Sequence, residues 1–181
     1  VVWKFSATST ILVVDLLGFG ESTSPDSAIS VNQQVEVLHD ALTSHGIQSI
    51  HLVGHSYGGM VSTLFASRYP EMLKSLVLID PLHRHYNLKY LDSLQNLWGR
   101  PIEEVLLPRD VASYDAMMDV SVYDPFFLPE FVKQQVLDNI YSVNLSQREA
   151  MLRAVRRDEV LIRNQALGAN VPTLLLWGAE D

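Results

Sequence analysis

A serine flanked by glycines at the end of an apolar run is the first place in this sequence where residue types and spacing could do chemistry. Residues 50–60 read IHLVGHSYGGM, so Gly54-His55-Ser56-Tyr57-Gly58 matches G-x-S-x-G and Gly59 follows it. The motif has its required context, an apolar strand before it and a helix after it. On such a sharp turn the hydroxyl is lifted clear of the sheet. It stands at a helix N-terminus, where free amides favour a developing negative charge. The backbone N–H of Tyr57 is then one oxyanion donor. Gly54 and Gly58 are expected to omit side chains where strand and helix approach, and Gly59 to add room on the helix. The bland alternative is a glycine-rich turn with a passive serine.

A serine hydroxyl is a weak nucleophile until a base removes its proton, so Ser56 needs a histidine. The candidates are His39, His45, His51, His55, His83 and His85. His39 and His45 fall in or at the end of a helix and His51 opens a strand, which suits surface or structural roles. His55 is the x of the turn, and its side chain should point away from the hydroxyl. His83 and His85 are the serious internal candidates, although substrate contact or plain exposure suits them better. They are also spaced as metal ligands, but no third ligand is evident, so neither a metal nor any cofactor is expected. Gly18-Phe19-Gly20 lacks the third glycine of a dinucleotide fingerprint.

The elements that must position these residues follow from periodicity. Four apolar runs read as buried strands of a parallel sheet: ILVVDL (11–16), IHLVG (50–54), SLVLID (75–80) and TLLLWG (173–178). Between the first two, Val31, Val35, Leu38 and Leu42 recur at helical spacing. Ser30 with Gln33 forms a capping box, and Gly46 suits the position beyond the C-terminus. Residues 57–68 read as a second helix that stops before Pro70. Alternating strands and helices predict an α/β domain with a parallel sheet.

The alternation stops after Pro81. To about Gly168 the sequence reads as helices joined by loops with Pro101, Pro108, Pro125 and Pro129. One helix is expected to start near Pro129, with Val132, Val136, Ile140 and Val143 on one face. Another should start at Ser146, with Glu149 completing a capping box. Met117, Met118, Phe126, Phe127 and Phe131 suit either a core or an acyl pocket. No internal repeat or low-complexity tract interrupts the chain.

At 181 residues and 48% hydrophobic, the chain can bury a substantial core. Its 13 basic and 21 acidic residues give a net charge of −8, with no dense basic run, which argues against nucleic acid as a partner. Arg153, Arg156 and Arg157 are expected on a solvated helix face. No apolar run is long enough for a transmembrane helix and no leader pattern opens the sequence, so a soluble protein is expected. With no cysteine, reducing and oxidising compartments both stay open, the cytoplasm being favoured. Oligomeric state is unknown from the sequence.

Together, DLLGFGES (15–22), LVGHSYGGM, RYPEMLKSLVLID and VPTLLLWGAED (171–181) resemble the α/β-hydrolase family. The resemblance implies an α/β-hydrolase-type parallel sheet flanked by helices. The core would comprise 1–81 and 169–181, with 82–168 a helical cap inserted between the sixth and seventh core strands. It also implies that Asp181, just past the last strand, is the acid of a catalytic triad, with Asp80 as the rival acid. Asp15 reads as a loop-ordering residue near the site. The family's histidine would lie beyond residue 181, and its second oxyanion donor upstream of the 11–16 run, so the sequence reads as a piece truncated at both ends. The implied function is a serine hydrolase of a small-molecule carboxylic ester with a hydrophobic acyl or aryl group, an acylglycerol among the candidates. The alternatives are a carbon–carbon bond hydrolase of the same fold and a non-catalytic binding protein.

Overall fold

The computed structural model describes residues 9–24, 29–82, 88–158 and 170–179. Helix α1 spans Val31–Ser44, strand β1 Ile50–His55, helix α2 Tyr57–Arg68 and strand β2 Leu73–Ile79. Among the described residues five α-helices come next: α3 Leu88–Trp98, α4 Ile102–Leu106, α5 Val111–Ser121, α6 Glu130–Val136 and α7 Leu145–Arg157. Strand β3, Thr173–Leu176, then pairs with β2. Both strand pairs are parallel, in the order β1-β2-β3.

The ends of α1 form as the sequence predicts. The Ser30 hydroxyl accepts from the Gln33 N–H at 3.1 Å, and the Gln33 side chain accepts from the Ser30 N–H at 2.8 Å. At the other end Gly46 takes φ +69°, and the N–H groups of Gly46 and Ile47 donate to the carbonyls of Thr43 and Leu42. Such a left-handed glycine closes the last turn by satisfying two otherwise orphaned carbonyls.

Val31, Val35, Leu38 and Leu42 are buried as expected and pack with Met60, Val61, Leu64 and Phe65 of α2. The same cluster takes in Leu73, Leu76 and Leu78 of β2, and Met151 and Val155 bring α7 back onto it. A smaller cluster joins Tyr114 and Met117 of α5 to Leu137.

Several expectations are corrected. Residues 11–16 form no strand, and Leu12, Val13 and Val14 are 56%, 77% and 51% exposed. A run this apolar becomes a ladder only when a neighbour satisfies its backbone, and no described strand lies beside it. The strands are not buried throughout either. In β1, His51, Val53 and His55 are exposed, and every residue of β3 is exposed.

Ile140 and Val143 are exposed instead of continuing the face of Val132 and Val136. The chain makes a π-helical turn over Leu137–Tyr141, with the Ser142 N–H donating to the Leu137 carbonyl at 2.8 Å. That turn inserts an extra residue, so Leu137 and Tyr141 rotate inward instead.

Asn144 stands at the N-terminal boundary of helix α7 in a left-handed conformation without a side-chain capping bond, and Ser146 already lies inside the helix. Arg156 is not a solvated charge: its Nε lies 3.0 Å from a Glu103 oxygen, and it also reaches Gln95. Of the five apolar residues singled out after α4, Met117 is core and Met118 packs beside it, while Phe126, Phe127 and Phe131 are exposed.

Candidate active site

Strand β1 ends at His55 and α2 begins at Tyr57, leaving Ser56 alone to make the turn. It does so at φ +50° and ψ −118°, a conformation that costs a non-glycine residue about 1–3 kcal/mol. The surroundings over-determine it. The Ser56 N–H donates to the Ile79 carbonyl at 3.0 Å, extending the β1–β2 pairing by one residue. Its carbonyl accepts from the N–H groups of Gly59 (2.9 Å), Met60 (3.2 Å) and Leu82 (3.1 Å). A serine at a helix start ordinarily caps the helix with its side chain. Here the hydroxyl makes no capping bond, so it is free for another partner.

The glycines divide their work differently from the expectation. A Cβ at Gly54 would fall on the Ser62 hydroxyl and 2.5 Å from the Gly58 carbonyl oxygen. One at Gly59 would fall 2.6 Å from Pro81 Cβ, so the close approaches are at Gly54 and Gly59. A Cβ at Gly58 would meet nothing within 4 Å.

The adjacent N–H of Tyr57, at the first helical position, has no carbonyl behind it in the helix to bond. The Tyr57 ring is buried and stacks on Phe19, with centroids 5.8 Å apart and planes at 28°. Burial pushes its phenol pKa upward, so the ring stays neutral. Phe19 belongs to the tight turn of residues 16–22, in which Gly18 and Gly20 take φ +84° and +51°. The Asp15 carboxylate accepts the Glu21 N–H across this turn at 3.3 Å, in line with a loop-ordering role.

Asp80 terminates β2 at φ +39°. Its N–H donates to the Leu176 carbonyl at 3.0 Å, and its carboxylate accepts the Gly178 N–H at 2.9 Å. Ser56, Asp80 and the end of β3 therefore stand side by side along the carboxyl edge of the sheet. Asp80 is tied to the segment that leads to Asp181, and Asp181 itself lies outside the described residues, as do His83 and His85.

Three of the four described histidines have other partners. The His39 ring stacks on Tyr69 at 4.0 Å, His45 Nδ1 lies 2.8 Å from the Ala41 carbonyl, and His51 Nδ1 lies 2.7 Å from the Ser75 hydroxyl. His55 is exposed at the end of β1.

A family model described as alpha/beta hydrolase fold matches residues 6–181. The chain belongs to this family. Lipase 1 of Psychrobacter immobilis is 33% identical over 176 residues, which cover 94% of this chain and 54% of the lipase. Human monoacylglycerol lipase ABHD6 is 28% identical over 189 residues, covering 99% and 56% of the two chains. The crystal structure of a bacterial membrane phospholipase A, described as a virulence factor, superposes with a TM-score of 0.72 at 26% identity, covering 91% of this chain and 52% of that one. The chain thus spans about half the length of the curated relatives it matches.

Three features around this hydrolase-fold elbow are not apparent from the sequence motifs. Gln34, 1% exposed, pairs its amide with both backbone groups of Leu17. Asn144 and Gln147 donate to the Gly20 and Ser24 carbonyls, each at 3.0 Å, and so tie α7 to the same loop. The signal for the first was available: a polar residue on the apolar face of α1, between Val31 and Val35.

Proposed function

We propose that the protein is a serine hydrolase that cleaves a carboxylic ester with a hydrophobic acyl or aryl group, an acylglycerol being the leading class, through an acyl-enzyme on Ser56. The observation that carries this reading is the strained, uncapped Ser56 at the start of α2. Strain of this kind persists only where surrounding contacts enforce it, and it clusters at functional sites. The lipase and monoacylglycerol lipase names of the relatives support the ester and the acylglycerol class.

In the proposed reaction, Ser56 Oγ bonds to the ester carbonyl carbon while its proton passes to a histidine. The oxyanion is met by the Tyr57 N–H at the positive end of α2. Collapse of the intermediate breaks the ester C–O bond, and the histidine returns the proton to the leaving alcohol. Water, deprotonated by the same histidine, then attacks the acyl-enzyme and releases the acid. Asp181 orients that histidine, which the family resemblance puts beyond residue 181, and Asp80 holds the end of β3 by its bond to Gly178. Helices α3–α7 form the cap in this reading, and the substrate is a small molecule bound between cap and core.

The test is to treat the full-length protein with a fluorophosphonate probe and locate the adduct by mass spectrometry. Ser56 should carry the phosphonyl group, and Ser56→Ala should abolish labelling. Hydrolysis of monoacylglycerols and aryl esters should exceed that of a diketone with a cleavable carbon–carbon bond. A folded full-length protein left unlabelled would overturn the reading and favour a binding protein.

A further inference from the structure

Gln34 is buried on the core-facing side of α1, where every neighbouring turn contributes an aliphatic side chain. Its Oε1 accepts the Leu17 N–H and its Nε2 donates to the Leu17 carbonyl, both at 2.9 Å. One side-chain amide thus satisfies both backbone groups of a single loop residue, as an adjacent strand would. Leu17 can neither rotate nor slide without breaking both bonds, and the buried Gln34 amide would then be left with unmade hydrogen bonds, which are costly.

Two residues on, Phe19 stacks on Tyr57, and the Tyr57 hydroxyl is buried beside Gln34. The Tyr57 ring is held by packing in the core, and Phe19 adds its stacked ring to that packing only while the loop stays in register. On the far side of the loop, the contacts from Asn144 and Gln147 come from more exposed side chains. Gln34 is the most deeply buried of the three.

Resting on the serine-hydrolase reading above, we propose that Gln34 is a positioning residue for catalysis: it fixes Leu17, and through the Phe19–Tyr57 stack it holds the Tyr57 N–H where the oxyanion forms beside Ser56. Gln34 touches no substrate. Its effect is on the placement of a donor, and misplacement by about 1 Å from a distant change can cost up to about a hundredfold in rate.

The test measures phosphonylation of Ser56 in the full-length protein, separating the fraction labelled at completion from the second-order rate constant. The first reports how much protein is folded, and the second reports the site. Gln34→Leu should lower the rate constant by about tenfold at an unchanged final fraction. Phe19→Leu, which leaves the Gln34–Leu17 pair intact, should slow it similarly. The double variant should be no slower than the slower single variant, because both act on one path. Ser30→Ala is the control: it removes the cap of the same helix and should lower Tm without changing the rate constant. If Gln34→Leu does not fold, Gln34→Met and Phe19→Leu carry the test. A folded Gln34 variant, or Phe19→Leu, labelling at the wild-type rate would overturn the proposal while leaving the serine-hydrolase reading intact. A wild-type protein unlabelled at Ser56 would overturn both.

Discussion

Ser56 holds a backbone conformation that serine disfavours, and the neighbouring glycines show how that strain is tolerated. Gly54 lies where strand and helix touch: any Cβ there meets the Ser62 hydroxyl and the Gly58 carbonyl. Gly54→Ala should therefore destabilise the protein by about 1–3 kcal/mol, as overpacking does in a filled interior. Gly58→Ala adds its methyl to open space on a helix and should be neutral or stabilising by up to about 1 kcal/mol. Urea unfolding midpoints of the two variants check this, and equal losses would refute the division of roles. The G-x-S-x-G letters were legible because the turn is local. Which glycine bears the close approach was not, because that depends on the direction of each Cβ after the helix has docked. Gln34 was visible only as an odd polar residue in an apolar stripe, since its partner Leu17 lies 17 positions away.

At the level of elements, the ends of α1 could be read from Ser30, Gln33 and Gly46 because each bond closes within a few residues. The π turn after α6 was not legible from a 3.6-residue period, and its stabilising contact comes from the next helix. Arg148, 7% exposed, donates to the carbonyls of Ile140 (2.5 Å), Tyr141 (2.6 Å) and Val143, and its guanidinium lies 5.8 Å from the Tyr141 ring centroid. A cation at the carbonyl end of a helix meets the negative end of the dipole, and hydrogen bonds from a charged donor are the stronger kind. Burial lowers the Arg148 pKa from its ordinary high value, but it stays a cation at neutral pH. Arg148→Met keeps much of the length of the side chain and removes all three of these bonds. It should cost roughly 2–3 kcal/mol, read as a lower denaturation midpoint. An unchanged midpoint would mean that water replaces the guanidinium at no cost.

Across the whole molecule, the parallel order of the strands was legible from their apolar runs, but their burial was not, because burial depends on what covers each face. The register explains the difference. Leu52 pairs with Leu76 and Gly54 with Leu78, on the face that α2 covers. On the opposite face, Val53, Val77 and Leu174 form one row, and His55, Ile79 and Leu176 the next. Among the described residues Val53, Leu174 and Leu176 remain 60%, 53% and 45% exposed. A largely apolar sheet surface of this kind favours association, and among the described residues β3 pairs along one side only. A polypeptide of these 181 residues alone should therefore sediment as concentration-dependent species larger than its 20.4 kDa monomer and should enhance the fluorescence of an apolar dye. Leu174→Lys combined with Leu176→Lys should suppress both effects, since inward-facing charges block sheet stacking and edge pairing. A monodisperse 20.4 kDa species that leaves the dye dark would show that this face is covered within the chain.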